Sequence, residues 1–209
     1  MRPSGKSGRR IQIIGITGGV GAGKSQVAGL FVRWGGVMVS GDDIGKQVVD
    51  RSRMLRRQLV RAFGEDVIRG DRIVRSRLAE RAFSSRQSTA RLNRLVHPYL
   101  LRELNRQISR ARRVPGCRAV IVDAALLAEW GRRRVRWDTL VGVWAPLAVR
   151  RRRLRKRGWD DRQINGRIRG QMSWRARRQM TDHVVKNDGS LVTLERRARF
   201  CWEKIISCD

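Results

Sequence analysis

IQIIGITGGVGAGKS, Ile11 to Ser25, joins a short apolar run to a glycine-rich turn and then to the start of an amphipathic segment. Ile11, Ile13, Ile14 and Ile16 read as a strand, and Gly18-x4-Gly23-Lys24-Ser25 fits the phosphate-binding loop pattern in full. Glycines let a backbone curl until its N–H groups point at phosphate oxygens. The helix that begins there adds its positive dipole end. Lys24 is suited to the β- and γ-phosphates, and the Ser25 hydroxyl to a magnesium ion. After the loop, Val27, Leu30, Phe31 and Trp34 fall on one helical face, and Gly35-Gly36 ends the helix. Strand, glycine loop and helix arrive in the order a nucleotide-phosphate site requires.

The next elements extend this unit into an α/β fold. Val37–Val39 is a second short strand that runs into Ser40-Gly41-Asp42-Asp43. Carboxylates just past a parallel strand lie where such sheets bind ligands, so Asp42 and Asp43 are functional candidates. Their structural alternative is capping the helix that continues through Ile44, Val48 and Val49; one may cap while the other does chemistry. From Met54 to Ile108 the sequence then shows helical periodicity and few strand signals. Met54, Leu55, Leu59, Val60 and Phe63 mark one helix face, and Leu92, Leu95, Val96, Tyr99, Leu100, Leu104 and Ile108 another. Pro98 is predicted to kink or split the latter helix. His97, beside it, is by itself more often a structural residue than a site.

Ala119–Val122 is a buried strand ending at Asp123, in the manner of a Walker B strand whose carboxylate helps hold magnesium through water. Leu140–Trp144 is a further strand, followed by Pro146 and the basic helix RRRRLRKR, residues 150–157. Gln163–Met180 reads as one polar, arginine-loaded helix suited to a lid over phosphates. His183–Val185 is a last strand, Asn187–Ser190 a turn, and Ser190 the cap of a closing helix.

Composition limits the function classes. The 209 residues suit one domain with an inserted part, and no apolar run approaches membrane-spanning length. Cys117, Cys201 and Cys208 form neither a disulfide framework nor a zinc pattern, which points to a reducing cytoplasm. The formal net charge is +30, and the only lysines are Lys6, Lys24, Lys46, Lys156, Lys186 and Lys204. Arginine therefore carries nearly all of the positive charge. It is scattered over the chain with no RNA-binding signature, so nucleic acid is expected to bind nonspecifically at most.

Taken together, GITGGVGAGKS, VSGDDIGKQVV, FGED at 63–66, RSRLAERAF at 75–83, His97-Pro98, DAALLAE at 123–129, RIRGQM at 167–172 and TDHVVKNDGS at 181–190 resemble the dephospho-CoA kinase family. The resemblance covers nearly the whole chain. It implies a P-loop kinase fold with a five-stranded parallel sheet flanked by helices. It further implies a core of about 11–45, 116–150 and 183–209, a helical acceptor-binding part of about 46–115, a lid of about 151–182, and a flexible basic tail at 1–10.

The implied reaction is phosphorylation of the ribose 3′-hydroxyl of dephospho-coenzyme A by ATP with Mg²⁺. On this resemblance Asp42 is the general base, with Lys24 and Arg153 completing the catalytic set. Gly18, Gly19, Val20, Gly21, Ala22, Gly23, Lys24, Ser25, Gln26, Arg157 and Asn187 contact ATP. Asp42, His97, Leu126, Leu127 and Glu129 face the acceptor, and Ser25 and, through water, Asp123 hold the metal. The sequence departs from the family pattern at Ser40 and Gly41 (for Asp-Ala), Ala125 (for Pro), Ala128 (for an aromatic), Lys46 (for Arg) and Arg150 (for Gln). The alternatives are another small-molecule P-loop kinase and a divergent polyanion- or RNA-binding P-loop protein.

Overall fold

The computed structural model describes residues 10–124 and 127–207, and of Glu129 only the backbone. Leu126 and Ala125, like residues 1–9 of the expected tail, lie outside the described residues. The chain forms two compact units, residues 40–107 and the remainder.

The larger unit is built on a five-stranded parallel sheet of order β2-β5-β1-β6-β7. Its strands are β1 (Gln12–Thr17), β2 (Gly36–Ser40), β5 (Ala119–Asp123), β6 (Thr139–Trp144) and β7 (His183–Lys186). β1 is central and buried along nearly its whole length, as a parallel strand covered on both faces must be. It pairs in parallel with β5, Ile16 opposite Asp123, and with β6, Thr17 opposite Gly142. The chain leaves β1 toward one side of the sheet and later returns to the other. The turn after β1 therefore lies at the topological switch point, where open α/β sheets bind ligands.

Helices α1 (Lys24–Arg33) and α10 (Leu191–Ser207) pack beside the sheet. Val27, Ala28, Leu30 and Phe31 of α1 meet Leu194, Ala198, Cys201, Trp202 and Ile205 of α10 in one core with Ile14, Ile16, Ile121 and Val143. Burying each large side chain of this kind contributes about 1.5–3 kcal/mol. Phe31 and Trp202 have ring centroids 5.2 Å apart. Ser190 caps α10, its hydroxyl accepting the Thr193 N–H at 3.2 Å.

Between β5 and β6 lies the short α6 (Leu127–Trp130), and after β6 come α7 (Leu147–Arg155), α8 (Asp161–Arg169) and α9 (Trp174–Met180). The single helix read over 163–180 is thus two. Gly170 is a poor helix former, and Ser173 caps a new helix by accepting the Ala176 N–H at 3.2 Å. Asp160 and Gln163 close a reciprocal capping box at the start of α8.

The smaller unit is mainly helical: α2 (Gly41–Arg51), α3 (Arg53–Phe63), α4 (Arg75–Ala82) and most of α5 (Arg86–Ala111). Leu55, Leu59 and Phe63 of α3 are buried as the periodicity predicts, whereas Met54 is exposed. A hairpin of β3 (Ile68–Arg69) and β4 (Arg72–Ile73) turns at Gly70-Asp71. Buried Arg56 fastens it, donating to the Asp50 carbonyl and pairing with Asp71 at 3.2 Å. Pro98 is expected from the sequence to kink or split this helix, and α5 runs through it unsplit. Pro98 and Arg94 are both exposed, so the carbonyl that loses its partner can be hydrated.

Candidate active site

The loop Gly18–Gly23 leaves the end of β1 and enters α1 through Gly23, whose φ of 97° lies in the left-handed region. A side chain would strain that position. α1 has no side-chain cap, so the first N–H groups of the helix remain for a ligand. Lys24 opens α1 and its Nζ donates to the Gly18 carbonyl at 3.0 Å, folding the side chain back across the loop. Ser25 and Gln26 follow on the exposed side of the first turn.

Three elements converge on this loop. From β5, Asp123 stands half-buried beside the end of β1. From the turn after β7, Asn187 is 2% exposed and donates Nδ2 to the Ala22 carbonyl at 2.8 Å. From α7, Arg153 donates Nη2 to Asn187 Oδ1 at 3.0 Å, while its Nη1 is buried with no hydrogen-bond partner. Burial lowers the Arg153 pKa, and the nearby Arg152 and Arg157 lower it further. Arg150, one turn earlier, donates Nε to the Val20 carbonyl at 2.8 Å. Burial lowers its pKa too, with Arg177 adding to the effect. Crowded, partly desolvated guanidinium groups beside a ring of backbone N–H groups form a field suited to a polyanion. Arg157 is exposed near the end of this helical stretch.

Among the residues expected to meet the nucleotide or metal, the structure thus brings the loop, Lys24, Asp123, Arg153 and Asn187 to the C-terminal ends of the strands. Leu127 is instead fully buried, and Ala128 nearly so. Leu126 and the Glu129 side chain lie outside the described residues.

In the helical unit, Ser40 rather than either aspartate caps α2: its hydroxyl accepts the Asp43 N–H at 3.2 Å. Asp43 is engaged by Lys46 at 3.3 Å. The Ser40 hydroxyl, and then Lys46, hold the Asp43 carboxyl below the usual carboxylate range. Asp42 stands in the first turn, exposed. His97 is half-buried on α5.

Sequence reasoning singles out neither Gln171 nor Thr17, and reads Arg177 only as one of several lid arginines. Gln171 Oε1 accepts the Val20 N–H at 2.8 Å, and Arg177 donates to the Thr17 hydroxyl. Nothing local distinguishes Arg177 from Arg175 and Arg178. The one available signal is that Gln171 falls inside RIRGQM, which resembles a family mark.

Among the described residues no helix is long and apolar enough to cross a membrane, and no group of three or more His, Cys, Asp or Glu side chains could hold a metal ion. A metal here would rely on ligand oxygens besides the protein's own.

A family model described as dephospho-CoA kinase matches residues 12–193. A dephospho-CoA kinase of Corynebacterium diphtheriae is 36% identical over 196 residues, 93% of this chain and 97% of that protein. One of Mycobacterium tuberculosis is 37% identical over 191 residues, and the chain spans only 46% of its length. Among solved structures, a Thermus thermophilus protein aligns with a TM-score of 0.77 at 32% identity, covering 94% of this chain and 99% of that one. A shikimate kinase of Acinetobacter baumannii aligns with a TM-score of 0.55 at 13% identity, covering 94% of each chain, a likeness of fold alone.

Proposed function

Because the chain belongs to the dephospho-CoA kinase family, we propose that its phosphate loop, Asp42 and the arginines after β6 divide that family's reaction among them. The reaction moves the γ-phosphoryl group of ATP to the ribose 3′-hydroxyl of dephospho-coenzyme A, giving coenzyme A and ADP. The observation that carries the reading is the loop at the end of the central strand, with Lys24 opening a helix that no side chain caps.

Gly18 to Gln26 enclose the phosphates, with the uncapped N–H groups at the entry to α1 donating to them, and Arg157 and Asn187 serve the nucleotide side. Asp42 follows the end of β2 by two residues and accepts the proton of the 3′-hydroxyl as that oxygen bonds to the γ-phosphorus. The bond from this phosphorus to the bridging oxygen breaks, and ADP leaves with the electron pair. Lys24 and Arg153 neutralise the charge spread over the transferring group. Arg153 suits that role because one of its buried nitrogens awaits a partner. His97, Leu126 and Glu129 serve the acceptor, with Leu127, fully buried against Gly15 of β1, supporting that side from behind. The Ser25 hydroxyl and the Asp123 carboxylate are hard oxygen donors of the kind Mg²⁺ takes, directly and through water. When bound, the ion draws charge from the β- and γ-phosphate oxygens. We assign the protein to the cytoplasm, in keeping with cysteines that form no framework.

The test is ADP release from ATP and Mg²⁺ in the presence of one acceptor at a time. Dephospho-coenzyme A supports turnover, while nucleoside monophosphates, shikimate and simple sugars stay at background. Turnover with one of those and none with dephospho-coenzyme A refutes the assignment.

A further inference from the structure

The first half of the phosphate loop is held from outside, by residues far along the chain. Both backbone polar groups of Val20 are taken by side chains. Its N–H donates to Gln171 Oε1 and its carbonyl accepts from Arg150 Nε, each at 2.8 Å. Gln171 lies between α8 and α9. Six residues on, Arg177 of α9 reaches Thr17, the last residue of β1, and donates to its hydroxyl. Thr17 is fully buried and Arg177 is 1% exposed. Residues 171–177 therefore grip the loop on both sides of Gly18-Gly19. Arg150 lies against Gly19 so closely that a Cβ added there would strike its guanidinium group.

Two features make this more than packing. Burying a guanidinium group is costly unless its N–H groups are used and an anion lies near, and the adjacent loop is built for a polyanion. The contacts also divide the loop. They occupy Thr17 and Val20 and leave the entry to α1, with its uncapped N–H groups, for a ligand.

We propose that Gln171 and Arg177 are positioning residues of the nucleotide site, fastening the α8–α9 segment to the phosphate loop so that loop shape and nucleotide affinity depend on that segment. The inference rests on reading Gly18–Ser25 as the ATP site, but not on the identity of the acceptor. Preorganising the loop removes the cost of ordering it when ATP arrives.

The test is the Kd of Mg²⁺-ATP by calorimetry with no acceptor present. It compares the wild-type chain with Gln171→Ala, Arg177→Met, Arg177→Lys, Thr17→Val and the double variant Arg177→Met/Thr17→Val. Gln171→Ala and Arg177→Met each weaken ATP on the order of tenfold, the scale of one charge-assisted or buried hydrogen bond. Arg177→Lys restores part of the loss. Thr17→Val and Arg177→Met combine to less than the product of their separate effects, because each breaks the same contact. Hydrogen exchange shows faster exchange of the Val20 amide in Gln171→Ala. A merely structural role predicts lower melting temperatures with unchanged Kd in the folded protein and multiplicative combination, and that result overturns the inference. Should Arg177→Met not fold, Gln171→Ala and Arg177→Lys carry the decision alone: unchanged Kd in both refutes it. Failure of the wild-type chain to bind ATP refutes instead the reading of the loop.

Discussion

Asn187 Nδ2 and the carbonyl of Ala22 are joined at 2.8 Å across 165 residues of sequence. The Asn187 backbone N–H donates to the Trp144 carbonyl at 2.7 Å, and its Oδ1 accepts from Arg153. One buried amide thus fixes the curl of the phosphate loop and the aim of an arginine from α7.

Asn187→Leu keeps the branched shape of the side chain, though larger, and removes every side-chain hydrogen bond. It leaves the Ala22 carbonyl and Arg153 Nη2 without their partner, at a cost of about 2–4 kcal/mol. Urea denaturation should show that loss, and ATP affinity should fall with it. A stability change below about 0.5 kcal/mol would show that the loop holds its shape unaided.

Ser40, read from the sequence as a departure from the family's aspartate, caps α2. Ser40→Ala should cost about 1 kcal/mol of stability, whereas Ser40→Asp, an equally good cap, should be neutral within about 0.5 kcal/mol. Thermal unfolding of the two variants separates capping from any charge requirement. Equal losses in both would mean that the hydroxyl matters for something other than its bond to the Asp43 N–H.

The sheet and the loop are legible because their signals are local. An apolar run, a glycine turn and an i, i+3, i+4, i+7 face sit within about two dozen residues, from Ile11 to Trp34. The breaks in regularity are harder. Pro98 reads as a kink or a split because local sterics oppose it, but exposure of that turn lets the helix continue. One long helix over 163–180 overlooks the cap at Ser173, because arginines on every side hide the change of face. The contacts of Gln171 and Arg177 span 151 and 160 residues, and no spacing rule reaches that far. Ser40 looks like a lost carboxylate, and only its bond to the Asp43 N–H shows what it does.

Cys201 gives the core a pH dependence. It faces the α10 side of the core, and burial pushes its thiol from 9.0 up to about 12, with Lys204 pulling weakly the other way. A pKa raised by folding contributes stability that is complete below the unfolded value, near pH 9, and is lost as pH rises toward 12. Each tenfold change in proton affinity between the folded and unfolded chain corresponds to about 1.4 kcal/mol. Arginine and lysine titrate in the same range, so the measurement is the difference between wild type and Cys201→Ala. The variant should be less stable at pH 7.5, for the cavity it leaves, yet lose less stability between pH 9 and 11. Parallel pH profiles would refute the assignment.

Asp42→Asn tests the proposed base. Both aspartates sit in the first turn of α2, where the helix dipole favours negative charge. Both are exposed, but they differ in engagement: Asp43 is tied to Ser40 and Lys46. An amide has nearly the shape of a carboxylate but cannot take the hydroxyl proton. Asp42→Asn should therefore fold normally and bind ATP within about twofold of wild type, while turnover falls by about 10²–10⁴. Asp43→Asn should keep turnover within about threefold, since an exposed ion pair contributes little. Single-turnover assays on the two variants decide between them. A large loss in Asp43→Asn with a small one in Asp42→Asn would move the base to Asp43, and similar small losses in both would remove the carboxylate from the mechanism.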